Sequence, residues 1–270
     1  GRRCLAPCPH PYSRISPNHS MDIPTVQATE LPVVSVEQMA EVDRIMIEEI
    51  GMTLLQMMEN AGRNIAELAR SMLGGSLVGR QVAVLAGPGH NGGGGLVAAR
   101  HLSNGGAAVD VILGADESRL KPTTALQLGI LQKMEVPIRP SSAVAPGTYT
   151  LLIDALLGYS TKGAPRGEIA TLIAAAVRAG TTVLALDLPS GLDPDTGRIR
   201  DPHISASATL TLAAPKAGLL VPQAEPAVGD LYVGDIGVPA SVYAKLRLTA
   251  PGAMFDRGPI VRVMREEPSS

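Results

Sequence analysis

The strongest constraint on this chain is an alternation of short apolar runs with helix-length segments. Gln81–Ala86, Ala108–Leu113, Thr150–Ile153, Thr182–Leu188 and Ala208–Ala213 each read as a strand, and Leu231–Asp235 as a further one at an edge. Between them lie a glycine-rich turn with a helix through Leu102, a helix through Gln127 to Met134 with Pro122 near its first turn, and a helix over Glu168–Ala179 ended by Gly180. Upstream, Ser35 with Gln38 and Thr53 with Gln56 are capping boxes, opening helices that run to about Glu49 and Leu73. Strands separated by helices of about ten to fifteen residues require a parallel sheet covered on both faces. Right-handed crossovers then bring the C-terminal ends of the strands to one edge. The expected fold is α/β: one doubly wound domain over residues 33–248, with a disordered tail at 1–32 and a second tail at 249–270.

Composition removes several classes of function. The net charge is −2 and aromatic residues make up 2% of the chain, so it has neither the basic footprint nor the stacking platform of a nucleic-acid binder. No uncharged apolar run is long enough to span a bilayer, so no membrane role is expected. The two cysteines, Cys4 and Cys8, fall in the first eight residues and cannot staple a fold, which suits a reducing, cytoplasmic compartment. With His10 they are a poor metal fragment, set among Pro7, Pro9, Pro11 and Pro17. Arg2, Arg3 and Arg14 without any acid in the first twenty residues suit an organelle-targeting peptide, but the four prolines break the helix it needs. Met21 is an alternative start.

Ligands of open parallel sheets sit beyond the C-terminal strand ends, and three of those ends are chemically unusual. Gly87–Gly95 (GPGHNGGGG) holds six glycines in nine positions between a strand and a helix. Such a segment lets backbone N–H groups approach a phosphate at a helix N-terminus, whereas an ordinary turn needs fewer glycines. Asp154 follows a buried strand and precedes Gly158-Tyr159-Ser160-Thr161-Lys162-Gly163. Asp187 follows another and precedes Pro189-Ser190-Gly191. A carboxylate leaving a buried strand needs a cation, a donor or a helix start. Two in matching positions favour a shared site, where a desolvated carboxyl can serve as acid or base. Spacing alone leaves open which is the proton donor and which a cation ligand.

Other candidates carry ordinary alternatives. Lys162 and Lys216 can meet a pyrophosphate, but loop lysines are usually solvated. His90 is a polar filler or an acid, and His101 suits packing. Met39, Met46, Met57 and Met58 fall at helical spacing and read as core or as a dimer surface. Gly87-x-Gly89-x-x-Gly92 formally matches the dinucleotide fingerprint, whose ribose acid would be Asp110 or Asp116. Asp110 sits inside a strand and Asp116 is late, so a hydride-transferring dehydrogenase is disfavoured. No P-loop motif occurs.

GPGHNGGGGLVAARHL (87–102), DALLG (154–158), DLPSGLDPDTG (187–197) and TLAAPKAGL (211–219) together resemble the NAD(P)HX epimerase family, with its YjeF N-terminal-type domain. The resemblance covers roughly Val34 to Leu246. It implies a Rossmann-like three-layer αβα sandwich with a mostly parallel sheet, usually dimeric, acting on NADH or NADPH hydrated on the nicotinamide ring. The R and S epimers of this NADHX or NADPHX would be interconverted, and the S form passed to a separate dehydratase. Carried over by position, Asn91, Gly92, Gly93, Gly94 and Gly95 would line the phosphates, and Gly158, Tyr159, Ser160, Thr161, Lys162 and Gly163 would embrace the nucleotide. Asn91, Asp154 and Ser190 would bind K+, and Asp187 would contact the reacting ring as the acid–base group. Gly94 stands where the family usually has Asp, which shifts substrate preference or marks a member that binds without turnover. A non-catalytic scaffold is therefore the alternative. The chain ends about 25 residues after Leu246, too few for a fused dehydratase domain.

Overall fold

The computed structural model describes residues 23–249 and 254–265. Cys4, Cys8, His10 and Met21 lie outside the described residues. Among the described residues eight strands form one sheet: β1 (Thr25–Gln27), β2 (Gln81–Ala86), β3 (Ala108–Leu113), β4 (Leu151–Ala155), β5 (Val183–Leu186), β6 (Ala208–Leu212), β7 (Asp230–Gly234) and β8 (Ile260–Met264). Their order is β1-β8-β7-β6-β5-β4-β2-β3, and the β7–β8 pair alone is antiparallel. The chain leaves β2 for β3 on one side and returns to β4 on the other. The topological switch point of this doubly wound sheet therefore lies between β2 and β4, where a crevice opens by construction.

The strands read as near-continuous apolar runs because both their faces are buried. Val82, Val84 and Ala86 face helices α2 (Leu54–Met72) and α3 (His90–Asn104), while Ala83 and Leu85 face α5 (Gly167–Ala179). Helix α4 (Pro122–Lys133) packs against α3. Ser35 and Thr53 cap α1 (Val36–Ile45) and α2 through the expected capping boxes, with Gln38 and Gln56 closing them. Helix α1 then widens into a π-helical turn, Met46–Ile50, closed by Gly51 at φ 80°. The short helices α6 (Glu225–Val228) and α7 (Ala240–Lys245) complete the shell. Among the described residues no helix is long and apolar enough to cross a membrane.

Two expectations change. The sheet reaches past residues 33–248 at both ends, because Thr25–Gln27 and Ile260–Met264 join it as β1 and β8. Neither alternates clearly enough to be read as a strand by itself; β8 is held by pairing with β7, and β1 by pairing with β8. For the same reason β7 is an interior strand, paired to β6 and to β8.

Candidate active site

A cavity of about 370 Å³ opens at the C-terminal ends of β2, β4, β5 and β6, a size within the range of small-molecule sites. Asn91, Gly94, Gly158, Tyr159, Ser160, Thr161 and Asp187 line it, as does Lys216. Met39, Met57 and Met58 form an apolar wall. These methionines are core residues, as their spacing suggests, and one face of that core is the cavity.

Asp187 is the first residue after β5. Its backbone turns into the left-handed region, φ 70°, while its N–H donates to the Leu210 carbonyl. Asp is among the few residues that enter this region at modest cost. The side chain is buried, yet it belongs to the cavity wall. Lys216 Nζ donates to Asp187 Oδ1 at 2.5 Å, and the Tyr159 N–H donates to Oδ2 at 2.9 Å. Lys216 is itself fully buried, and its remaining donors reach Thr211 Oγ1 at 3.2 Å and the Leu212 carbonyl at 3.1 Å. Its ammonium lies 5.6 Å from the centroid of the Tyr159 ring, within cation–π range. The Tyr159 hydroxyl donates to Asp43 Oδ2 at 2.5 Å. Burial pushes the Asp43 carboxyl above its ordinary value, against the lowering effect of Tyr159 and Lys216, and burial likewise raises the Tyr159 phenol. The result is a four-member polar chain, Asp43–Tyr159–Lys216–Asp187, set in an apolar wall.

Asp154 plays a different part. It is the fourth residue of β4, in register with Ala185 of β5, so it lies two residues behind Asp187 along the strands. That offset is about 7 Å at the strand rise. The two acids are therefore not in matching positions: one lies within the sheet and the other at its rim. Asp154 is fully buried and accepts from Leu156 N–H, Ser190 N–H and Ser190 Oγ. No cation lies within ion-pair distance of it among the described residues, and burial pushes its carboxyl up to about 6. Ser190 Oγ also accepts from Leu157 N–H, and Asn91 Nδ2 donates to the carbonyls of Leu157 and Leu186. Asn91, Asp154 and Ser190 thus share one hydrogen-bonded cluster rich in oxygen, whose carboxylate lacks a counter-charge.

The glycine segment is not a loop beyond its first three residues. Helix α3 begins at His90 with Gly89 as N-cap, and Gly92 to Gly95 are its buried first turns. A Cβ on Gly92 would stand 1.8 Å from the Gly87 carbonyl oxygen, and one on Gly95 would stand 2.4 Å from Ala155 Cβ. These glycines let α3 press onto the β2 turn and onto β4, and only Gly94 of the four faces the cavity. A Cβ there meets Leu186 Cδ2 at 3.1 Å. Of the free amides of the first turn, those of His90 and Asn91 belong to residues of the cavity wall. Lys162 and Gly163 are exposed and lie outside the cavity wall. His101 pairs with Glu59 on the outer face of α3.

Sequence pattern gives Lys216 little prominence and Asp43 none, although both carry a signal. Lys216 interrupts the apolar stretch Leu212–Leu220 directly after β6, on the same edge as Asp187. Asp43 is an acid one turn from Met39 on the apolar face of α1.

Residues 54–218 match the family model described as YjeF-related protein N-terminus. The chain is 42% identical over 247 residues to the NAD(P)H-hydrate epimerase of Dehalogenimonas lykanthroporepellens, covering 90% of this chain and 97% of that protein. It is 36% identical to the bifunctional NAD(P)H-hydrate repair enzyme Nnr of Moorella thermoacetica, over 78% of this chain and 42% of that longer protein. Among solved structures, yeast ynu0 superposes with a TM-score of 0.75 at 27% identity, over 85% of this chain and 99% of that one.

Proposed function

We infer the chemistry of the cavity from one premise: the chain belongs to the NAD(P)H-hydrate epimerase family, built on the YjeF-related N-terminal domain. It is an isomerase that interconverts the epimers of hydrated NAD(P)H. The observation that carries the mechanism is the buried Lys216–Asp187 pair opening on the cavity at the strand ends.

In the hydrated nicotinamide ring the carbon that bears the hydroxyl is bonded to the ring nitrogen. The nitrogen lone pair expels the hydroxyl once that oxygen receives a proton, so a water molecule leaves and a planar cation remains. Water then adds to the opposite face and returns one proton, which inverts the carbon with atoms and charge conserved. Asp187 passes this proton from the Lys216 ammonium, bonded to its Oδ1, to the hydroxyl and returns it after water adds; between the two transfers its carboxylate steadies the cation. Lys216 and the Tyr159 amide fix its two oxygens, and Asp43 fixes the Tyr159 ring through the phenol. The apolar wall of Met39, Met57 and Met58 keeps bulk water from the ring, which strengthens each of these charges.

The Asn91–Asp154–Ser190 cluster suits a potassium ion, because hard cations take oxygen ligands and Asp154 is a buried carboxyl that has no cationic partner among the described residues. An ion there would supply the missing counter-charge and tie the turns after β4 and β5 together. The amides of His90 and Asn91 would receive the pyrophosphate. The active form is a homodimer in the cytoplasm that hands its S epimer to a separate dehydratase, the activity implied by the repair-enzyme relatives of which this chain spans about 42%. The test is direct. Purified protein incubated with the R epimer should generate the S epimer, resolved chromatographically, far faster than buffer does. Retention of the R epimer at high protein concentration would leave a nucleotide-binding scaffold.

A further inference from the structure

We propose that Arg119 and Lys121 form a subsite for the adenosine 2′-phosphate, making the hydrated NADPH the preferred substrate. The proposal rests on the epimerase reading and adds to it the class of nucleotide. Both side chains line the mouth of the cavity, from the segment that joins β3 to α4. Among the described residues neither forms an ion pair.

Position along the sheet edge separates this subsite from the pyrophosphate. Asp187 follows β5, the glycine turn follows β2, and the Arg119–Lys121 segment follows β3, the far edge strand. Strands are about 4.8 Å apart, so along the sheet edge the end of β2 stands about 10 Å from the end of β5, and the end of β3 about 14 Å. In a dinucleotide the pyrophosphate is one ribose from the nicotinamide, and the 2′-phosphate lies beyond a second ribose. The pyrophosphate already has the amides of the first turn of α3, which leaves two cations for a further phosphate. The segment is held in place, because the Lys121 N–H donates to the Pro88 carbonyl and Thr124 Oγ1 donates to the Gly89 carbonyl.

The acids that would instead grip a free ribose 2′-hydroxyl are committed elsewhere. Asp110 accepts from Arg139 and Tyr149. Asp116 accepts from Ser118, and Glu117 accepts from Gln132. None of the three lines the cavity. The cavity wall at this end carries two cations and no carboxylate, since Asp116, near enough to act on Arg119, caps its own turn outside the wall, and such an end selects for a phosphate.

Calorimetry with 2′,5′-ADP and 5′-AMP tests the subsite without turnover. Wild type should bind 2′,5′-ADP at least about tenfold more tightly, the worth of one charged hydrogen bond. Arg119→Ala with Lys121→Ala should erase that preference, and in the epimer assay should raise KM for hydrated NADPH about tenfold relative to hydrated NADH. Both residues are exposed, so the thermal midpoint should be unchanged. Equal affinity of wild type for the two ligands overturns the proposal, as does a variant that weakens both alike, the mark of a pyrophosphate contact. A preference for 2′,5′-ADP in a protein that epimerises neither substrate would instead sink the epimerase reading and leave the subsite standing.

Discussion

Replacing Lys216 with methionine keeps the length of the side chain and removes its charge. Asp187 then stays buried with a single donor, the Tyr159 N–H, while Thr211 Oγ1 and the Leu212 carbonyl lose the ammonium. Breaking a buried pair by removing one partner costs about 3–5 kcal/mol. An independent bound agrees: neutralising a carboxyl at pH 7 from an unfolded-state value near 3.9 costs about 4 kcal/mol. A domain of ordinary stability, about 5–15 kcal/mol, survives this loss. If protonation is the escape, the native variant holds one proton that the unfolded chain does not. Its stability therefore falls as pH rises, and its deficit against wild type shrinks on acidification by about 1.4 kcal/mol per pH unit toward pH 4. Urea unfolding of both proteins between pH 5 and 7.5 measures this. Adding Asp187→Asn to Lys216→Met should recover most of the loss. A deficit under about 1 kcal/mol that is flat with pH, as expected of an exposed pair, would refute a buried, mutually dependent Asp187 and Lys216.

Three further outcomes follow from the same geometry. Gly95→Ala, whose Cβ would collide with Ala155 Cβ, should lower stability in urea unfolding by about 1–3 kcal/mol or more, while Gly94→Ala, facing the cavity, should change it by under about 1 kcal/mol. Asp43 titrates above its ordinary 3.8 because it is buried, so the stability it permits is complete below about pH 4 and declines as pH rises through its folded value. Asp43→Asn, which keeps an acceptor for the Tyr159 hydroxyl, should flatten the urea-measured stability profile over that acid range. Potassium chloride should raise the thermal midpoint above that in tetramethylammonium chloride, and Asp154→Ala should abolish the difference.

Much of the fold is legible because local signals agree with it. The limits of β2 and β3 match the apolar runs, and both capping boxes form as written. Strands β1 and β8 are not legible, since each is short and stable only through pairing with distant residues. In the site, Asp187, Asn91, Tyr159 and the turn after β4 meet at one cavity, as strand-end chemistry suggests. The glycine run is only half legible: composition marks a close approach, but not that the partner of Gly92 and Gly95 is the protein's own backbone and β4. Likewise Asp154 reads as an equal of Asp187 until the register sets it two residues back. Lys216 is singled out by sequence only as a discounted pyrophosphate contact, because lysine is usually solvated, and three-dimensional packing shows the carboxylate that lets it be buried.

The central claim is that Asp187 moves the proton that inverts the ring carbon. Its most direct test follows both epimers of hydrated NADPH, each supplied pure, with wild type and with Asp187→Asn at matched nucleotide occupancy. Wild type should drive both to one common epimer ratio. The variant, folded and still nucleotide-bound, should slow this by about a hundredfold or more, the scale of a lost general acid–base group. Equilibration by the variant at the wild-type rate would contradict the account.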